Sequence, residues 1–353
     1  MNLRIGITQA DWKIIQATPK SITIKEIAEK SQLSRPYVSL RLQKLREDFK
    51  IHISFKPILK KLGLKPVISI YPLSKQLLEK FEEGTPYTTS VSHLIKSTLD
   101  GLIVFAYVPE EYVDEYLALL PEKPVKTYIG ERIVKWRPDL SKATWYHRKR
   151  IGVNWNTVRE LAKSAEYIEE DLSKIPIDSL DMFIIKEKEK WAYTPLTKIS
   201  EILEKSISIG NIKKKASPQL LEYHWKKHVL KAWDFNQVKI ILPLEVAPIT
   251  FHYIRFRDED SLYAFLHAFS RNAVYNSTTV ILEDKASVFT AVKVPCAEMI
   301  EFMKFVHSLG VEEYSSEGFM DTDIILRYTI TYAMLKRGKW YSPLELLELY
   351  QRK

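Results

Sequence analysis

Residues 22–47, ITIKEIAEKSQLSRPYVSLRLQKLRE, constrain the fold of this chain more than any other stretch. Val38, Leu42 and Leu45 recur at i, i+4 and i+7, which predicts one buried stripe along a helix. Ser34 is placed to cap that helix, because its hydroxyl can accept a hydrogen bond from a backbone N–H of the first turn. A shorter helical pattern precedes it across a tight turn. The stretch therefore predicts a helix-turn-helix, whose second helix can enter the major groove of DNA.

The second helix of this motif is basic on the faces that its apolar stripe leaves exposed. Arg35 lies at its N-terminus, where such helices meet base edges, and an arginine can donate two hydrogen bonds to guanine O6 and N7. Basic residues farther along more often meet phosphates, which position the protein without reading sequence. The predicted DNA-binding residues here are Ser34, Arg35, Tyr37, Ser39, Arg41, Lys44 and Arg46, with His52 and Lys56 on the following strand. An ordinary helical pair with a solvated basic face is the alternative.

The net charge of the chain is concentrated in the same segment. Residues 1–65 carry 14 Lys and Arg against 5 Asp and Glu, which accounts for the whole excess of +9. A charge concentrated on one module is the electrostatic footprint of a polyanion-binding surface. We therefore expect double-stranded DNA as the partner.

Cysteine content and hydropathy exclude other classes of protein. The single cysteine, Cys296, excludes an internal disulfide framework, suits a reducing cytoplasm and is expected to be a small buried residue. No apolar run approaches the ~18 residues of a membrane span, and the first residues lack the apolar core of a signal peptide. Few glycines and abundant Lys, Ile and Glu fit a thermophile, so a cytoplasmic, archaeal-type protein is expected.

Strand and helix patterns follow the helix-turn-helix in the order βαββαβ. Strands are predicted at 65–72, 88–95, 102–108 and 125–137, and helices at 74–83 and 109–120. This order is typical of a ferredoxin-like sandwich, an antiparallel sheet with two helices on one face. With a leading helix at 8–17 and a wing strand at 50–55, the first part of the chain is predicted to be a winged helix followed by a sandwich.

The same order begins again after Asp178, with a final strand at 324–330. The predicted fold class is therefore α+β, two copies of a winged helix-turn-helix followed by a ferredoxin-like βαββαβ sandwich, related by internal duplication. The predicted domains are a winged helix at 1–64, a sandwich at 65–137, a linker with a helix at 138–177, a diverged winged helix at 178–243, a sandwich at 244–331 and a helical tail at 332–353.

The linker contains a basic and aromatic stretch, Trp145–Arg150. Arginine beside aromatic rings suits single-stranded nucleic acid, but the same residues suit a linker whose Trp145 and Trp155 pack on the sandwich, and we favour packing. A helix is predicted at 154–172, ended by Pro176.

The second recognition helix differs from the first. The residues at the positions of Arg35, Tyr37, Ser39 and Arg41 are Gln219, Leu220, Glu222 and His224. A glutamate near phosphates is repelled, so base reading is expected mainly in the first copy. An inserted loop at 207–216 supplies Lys213, Lys214 and Lys215, which can touch backbone phosphate, although a solvated lysine run is an equal alternative.

This organisation resembles the Lrp/AsnC (feast/famine) family of transcription regulators. The resemblance is carried by Asp11–Ile15, by 24–47 and by the LKKLGL of 59–64, and it covers residues 7–137 better than 178–330. It implies a DNA-binding regulator whose sandwich domains pair. We expect this pairing either within the chain, as a covalent pseudo-dimer, or between chains, as a homodimer, and edge strands such as Leu102–Val108 or Val125–Arg137 can form it. In many members these domains bind an amino acid or a similar small effector.

The chain departs from that family pattern in carrying two copies and in the loop between the middle strands. Effector-responsive members have a Gly-then-Asp loop there, whereas residues 96–103 read KSTLDGLI and residues 282–289 read LEDKASVF. Only Asp100 and Gly101 resemble it. Whether a small effector binds is therefore left open, and no cofactor is expected.

Two other classes of protein stay open beside the regulator. An architectural protein would bind DNA broadly, with a steep salt dependence. The siroheme decarboxylases share the family's fold, so an enzyme is the other alternative, but nucleophile elbows, phosphate loops and CxxC motifs are missing from the sequence. His224 and His228 stand at i and i+4, a spacing that can bridge a metal. His228 falls on the apolar stripe of its helix, and no Cys or carboxylate cluster joins the two histidines, so neither a metal site nor catalysis is expected.

Overall fold

The computed structural model describes residues 3–4, 6–48, 50–164, 172–205 and 216–351. The first winged-helix unit consists of β1 (Leu3–Arg4), α1 (Gln9–Ala17), α2 (Ile24–Ser31), α3 (Arg35–Glu47) and β2 (Ile51–Pro57). Thr8 and Asp11 form a capping box at the start of α1, in which each side chain accepts a hydrogen bond from the other residue's backbone N–H. Val38, Leu42 and Leu45 of α3 are all buried. The predicted helix-turn-helix is present with its apolar stripe inward.

The first βαββαβ unit follows directly. It consists of β3 (Leu64–Pro72), α4 (Lys75–Glu82), β4 (Thr88–Lys96), β5 (Leu99–Pro109), α5 (Val113–Ala118) and β6 (Lys126–Val134). Its antiparallel strands lie side by side in the order β6-β3-β5-β4. β5 is therefore an interior strand, and the prediction that Leu102–Val108 offers a free edge is wrong.

The predicted linker is a folded part of the protein. It contains β7 (Thr144–His147), β8 (Arg150–Val153) and α6 (Trp155–Ala162), and β1 pairs with β8. Gly152 lets the Trp145 ring approach, since a Cβ there would lie 2.5 Å from that ring. Trp155 is buried against Phe302 and Phe305. Trp155 packs on the sandwich, as we favoured, whereas Trp145 lies against Gly152 of its own hairpin. α6 ends ten residues before the predicted boundary at 172.

The second winged-helix unit and the second βαββαβ unit complete the chain. The first of these consists of α7 (Ser179–Lys190), α8 (Leu196–Lys205), α9 (Pro218–His224), α10 (Leu230–Ala232) and β9 (Trp233–Ile240). The second consists of β10 (Thr250–Phe256), α11 (Glu259–Asn272), β11 (Asn276–Leu282), β12 (Ser287–Val292), α12 (Met299–His307) and β13 (Val311–Arg327). The tail forms β14 (Leu335–Lys336), β15 (Lys339–Trp340) and α13 (Pro343–Gln351). The strand order β13-β10-β12-β11 repeats the order of the first unit.

The two four-stranded sheets join at both edges into a closed, antiparallel, eight-stranded barrel. β6 pairs with β11 on one side. On the other side, the first part of β13, up to Phe319, pairs with β10, and the part from Phe319 onward pairs with β4. Because it pairs with two strands in succession, β13 is much longer than the predicted 324–330. The barrel interior is filled by side chains that include Ile68, Ile103, Phe251 and Phe289. The predicted edge at Val125–Arg137, which contains β6, pairs within one chain, as in one of the two predicted arrangements.

The predicted wing strand also pairs within the chain. β2 runs antiparallel to β9 from Ile51 opposite Ile240 to Pro57 opposite Trp233. This two-stranded sheet joins the two winged-helix units, and a hydrogen bond from the Ala192 N–H to the Ile53 carbonyl adds to the contact. The two units are therefore held together at their wings.

Two smaller predictions have different outcomes. Cys296 is exposed, so the expectation that it is buried is wrong. None of the helices in the described part of the chain is long and apolar enough to cross a membrane.

Candidate DNA interface and central cavity

The outward face of α3 is the candidate DNA interface. Its side chains are exposed over the length of the helix, and they include Arg35, Tyr37, Ser39, Leu40, Gln43 and Lys44. Ser34 occupies the N-cap position, but its hydroxyl makes no capping hydrogen bond, contrary to the prediction. Arg35 and Pro36 form the first turn, so the arginine lies at the end of the helix that meets base edges in such motifs.

Arg41 was predicted to contact phosphate, and the structure gives it another role. Its Nε and NH2 groups donate to Oδ1 and Oδ2 of Asp11 at 2.8 and 2.7 Å. The Asp11 carboxylate is completely buried. Burial alone would raise the pKa of Asp11, but the hydrogen bonds from Arg41 and Thr8 outweigh burial and lower it. Arg41 is thus part of the packing between α1 and α3.

Two further predicted phosphate contacts also face protein groups. The Arg46 guanidinium lies over the Trp191 ring, 4.8 Å from its centre, and so contacts the second winged-helix unit. Lys56 Nζ lies 3.9 Å from a Glu189 carboxylate oxygen at the wall of an internal cavity. His52 is opposite Lys239 in the paired wings, and burial lowers its pKa. The predicted contacts that remain exposed without such a partner role are Ser34, Arg35, Tyr37, Ser39 and Lys44.

α9, which was predicted as the second recognition helix, has a different surface from α3. Leu220, Glu222 and Tyr223 are exposed on α9. His224 and His228, by contrast, point at the buried Asp181 of α7, with Nδ1–oxygen distances of 2.9 Å from each ring. The sequence missed this carboxylate because it lies more than forty residues earlier in the chain. Lys213, Lys214 and Lys215 lie outside the described residues.

A cavity of about 520 Å³ lies between the paired winged helices and the barrel. Its winged-helix wall comes from β2, α7 and β9, and its barrel wall comes from strands of both βαββαβ units. Apolar side chains such as Leu59, Phe105, Ile133 and Phe251 cover much of this surface. The lining of the cavity is therefore largely apolar, and both halves of the protein contribute to it.

Cationic side chains converge on this cavity. They are Lys56, Lys135, Lys239, Lys293 and Arg327, and Glu189 supplies the one carboxylate among the described lining residues. Burial, together with Lys56 and Arg327, lowers the pKa of Lys239 to about 8. Burial also lowers the pKa of Lys135 well below its usual range, and it raises that of Glu189. Basic side chains that outnumber the carboxylate on a partly apolar wall favour an anionic ligand.

Sequence reasoning missed the cavity because each of its cations comes from a different element. Lys56 and Lys239 lie on the paired wings, whereas Lys135, Lys293 and Arg327 lie at or just beyond the ends of β6, β12 and β13. Each looks like an ordinary surface lysine or arginine in its own segment. Only the closure of the barrel beneath the winged helices brings them to one wall.

Comparison with known sequences supports the N-terminal unit. A family model described as winged helix-turn-helix DNA-binding matches residues 13–48, which run from the middle of α1 to the end of α3. No curated protein matches the chain. The chain therefore carries a winged helix-turn-helix DNA-binding unit at its N-terminus.

Comparison with solved structures shows the fold of the whole chain. The siroheme decarboxylase NirDL in complex with an iron-uroporphyrin III analogue has a TM-score of 0.54 and 12% identity, over 98% of this chain and 99% of that chain. A second structure of the siroheme decarboxylase NirDL has a TM-score of 0.52 and 14% identity, over 98% of each chain. The leucine response regulatory protein of Mycobacterium tuberculosis has a TM-score of 0.24 and 17% identity, over 35% of this chain and 91% of its own. The NirDL likeness extends over nearly the whole chain and, at these identities, shows a shared fold.

Proposed function

We propose that the protein is a sequence-specific, double-stranded DNA-binding transcription regulator that reads its site with the outward face of α3. The observation that carries the proposal is the exposure of Arg35, Tyr37, Ser39 and Lys44 on the helix that the DNA-binding family model matches. Arg35 is assigned to a guanine edge, and Lys44 to phosphate. Arg41 and Lys56 are not part of this interface, because they contact Asp11 and the cavity wall.

We further propose that the chain is a tandem duplication of an Lrp/AsnC-like unit with a ferredoxin-like sandwich. The repeated strand order and the matching Asp11 and Asp181 capping boxes support this origin. Pairing of the two βαββαβ units inside one chain would then replace the pairing of subunits. A homodimer, if it forms, must use other surfaces, and it would present two copies of α3 to half-sites about 34 Å apart.

The test is a binding-site selection from random DNA with purified protein at physiological salt. The wild type is run beside Arg35→Ala/Lys44→Ala, which removes two charges from α3. The control is Lys75→Ala/Lys304→Ala, which removes two exposed charges from barrel helices. A defined motif that is kept by the control and lost by the α3 variant supports the proposal. If all three proteins bind all sequences equally, and their affinity decreases as the salt concentration rises, the protein is architectural. No binding by the wild type overturns a DNA-binding role.

The cavity supports a second candidate, an enzyme or binding protein for a carboxylate-rich tetrapyrrole. Four lysines and one arginine against one carboxylate, around a largely apolar cavity, suit a ligand with a hydrophobic body and several carboxylates. The shared fold with a siroheme decarboxylase agrees with this chemistry. In this role Lys56, Lys239 and Arg327 bind carboxylates, and Phe105 and Phe251 contact the macrocycle.

Absorbance titration with iron-uroporphyrin III tests this candidate, and mass spectrometry of the recovered ligand tests for loss of carbon dioxide. Lys239→Met and Arg327→Gln should each weaken binding about tenfold or more, since each removes a charge-assisted hydrogen bond. Lys75→Ala is the control. Binding without mass loss indicates a ligand-binding protein, mass loss indicates an enzyme, and the absence of saturable binding overturns the candidate.

A further inference from the structure

The two winged-helix units neutralise an equivalent buried carboxylate in different ways. Asp11 is the third residue of α1 and Asp181 is the third residue of α7, and each completes a capping box. Both are completely buried. In the first unit, the guanidinium of Arg41 meets the carboxylate with two hydrogen bonds. In the second, the imidazoles of His224 and His228 take that place.

Because two imidazoles stand where the first unit has a guanidinium, Asp181 has no arginine or lysine among its described contacts. Asp181 Oδ2 accepts a hydrogen bond from the Asp178 N–H, and its other contacts are the two imidazoles. An arginine always carries a charge, whereas an imidazole can also act as a neutral ligand of a metal ion. A buried carboxylate needs a partner of opposite charge. A bound divalent cation would supply it.

The spacing of the donor atoms fits a small tetrahedral ion. His224 Nδ1 lies 2.9 Å from Asp181 Oδ1, His228 Nδ1 lies 3.2 Å from the same oxygen, and Asp178 Oδ1 lies 3.7 Å from His224 Nδ1. Bonds of about 2.0 Å at tetrahedral angles place ligand atoms roughly 3.3 Å apart. The observed separations lie on either side of that value, so small side-chain shifts can accommodate the ion.

The helix that carries the two histidines is itself irregular. α9 ends at His224 and continues as a π-helical turn over Trp225–Val229, which contains His228. Such turns are rare and frequently occur at functional sites. The His228 side chain is 27% exposed and the Asp178 side chain 49% exposed, so an ion can enter from solvent.

We propose that Asp181, His224 and His228 form a Zn²⁺ site in the second winged-helix unit, with Asp178 or a water molecule as the fourth ligand. Imidazole and carboxylate donors in a tetrahedral arrangement are typical of zinc. The ion joins the start of α7 to the α9 π-turn, as the Arg41–Asp11 pair joins α1 to α3. This site is independent of the DNA-binding proposal and of the cavity.

The experiment is calorimetric titration of Zn²⁺ into chelator-treated, full-length protein, with thermal unfolding measured in parallel. The wild type should bind one ion per chain, and saturating Zn²⁺ should raise its Tm by about 5 °C. Mg²⁺ should do neither, because it prefers oxygen ligands.

Three variants keep the proposal falsifiable. His228→Ala should lose stoichiometric binding. His224→Arg should also lose it while staying folded, because an arginine there can pair with Asp181 as Arg41 pairs with Asp11. His147→Ala, on the exposed β7–β8 hairpin, is the control and should bind as the wild type does. Absence of stoichiometric binding by the wild type, or unchanged binding by both His224→Arg and His228→Ala, overturns the proposal.

Discussion

Arg41 and Asp11 form a bidentate ion pair that fixes α3 against α1, although Arg41 follows the basic pattern of a DNA-contacting helix. The two hydrogen bonds measure 2.8 and 2.7 Å, and the carboxylate has no exposed surface. A loss of DNA binding after substitution of Arg41 would therefore report folding of the motif as much as contact with DNA.

We predict that Arg41→Ala lowers the free energy of unfolding by about 3 kcal/mol, because it leaves a buried carboxylate without its cation. Arg35→Ala on the same helix removes the same charge from an exposed position and should change stability by less than about 0.5 kcal/mol. Urea unfolding at pH 7 measures both. Equal stability of the two variants would contradict the structural role of Arg41.

The same ion pair predicts a specific acid response. The folded-state pKa of Asp11 is lowered, so its stabilising contribution is complete above the unfolded pKa of about 4 and is lost as the pH falls through the lower folded value. Without Arg41, burial raises the folded-state pKa of Asp11. The stability difference between wild type and Arg41→Ala should therefore be constant at high pH and shrink as the pH falls from the raised pKa of the variant to the lowered pKa of the wild type. Unfolding curves at pH 7 and pH 3 test this, and a difference that does not change with pH would exclude the linkage.

The sequence predicted the winged helix well because its signals are local. The stripe of Val38, Leu42 and Leu45 depends on residues within two helical turns. The role of Arg41 was misjudged because helical periodicity shows which face of a helix a residue occupies but not which residue it contacts. Its partner, Asp11, lies thirty residues earlier in the chain. The direct base and phosphate contacts of α3 stay predictions.

Pairing of sheet edges within the chain was one predicted alternative, but the strands that close the barrel could not be predicted from the sequence. Each βαββαβ unit has the local pattern of a sheet with two free edges, and no local signal indicates that β6 pairs with β11 or that β4 pairs with β13. These pairings join residues more than 140 positions apart, such as Val134 with Thr279. The cavity and its cations depend on those pairings, so they were missed for the same reason.

Gly318 provides a test of that closure. It has φ +126° at the point where β13 leaves β10 for β4, and a Cβ there would lie 2.6 Å from the Ile95 carbonyl oxygen. Gly318→Ala should destabilise the protein by about 3 kcal/mol, through backbone strain and the clash with a neighbouring strand.

Gly84→Ala is the matched control for this substitution. Gly84 also has positive φ, +94°, but a Cβ added there would have no atom within 4 Å, so only backbone strain of about 1 kcal/mol is expected. Thermal and urea unfolding compare the two variants. If Gly318→Ala costs no more than Gly84→Ala, the close approach of β13 to β4 is not a feature of the protein in solution.

The cavity lysines predict how anion binding depends on pH. The pKa of Lys239 is lowered to about 8, so its ammonium loses its proton as the pH rises through that value. Affinity for iron-uroporphyrin III should therefore fall between pH 7 and pH 9, while the ligand-free protein gains stability from about pH 8 up to the unfolded lysine pKa near 10.4. The gain arises because the unfolded chain binds more protons than the folded chain in that interval.

Lys239→Met should bind iron-uroporphyrin III more weakly at pH 7, and both its affinity and its stability should change less with pH. A wild-type affinity that is constant from pH 7 to pH 9 would mean that Lys239 does not contact the ligand.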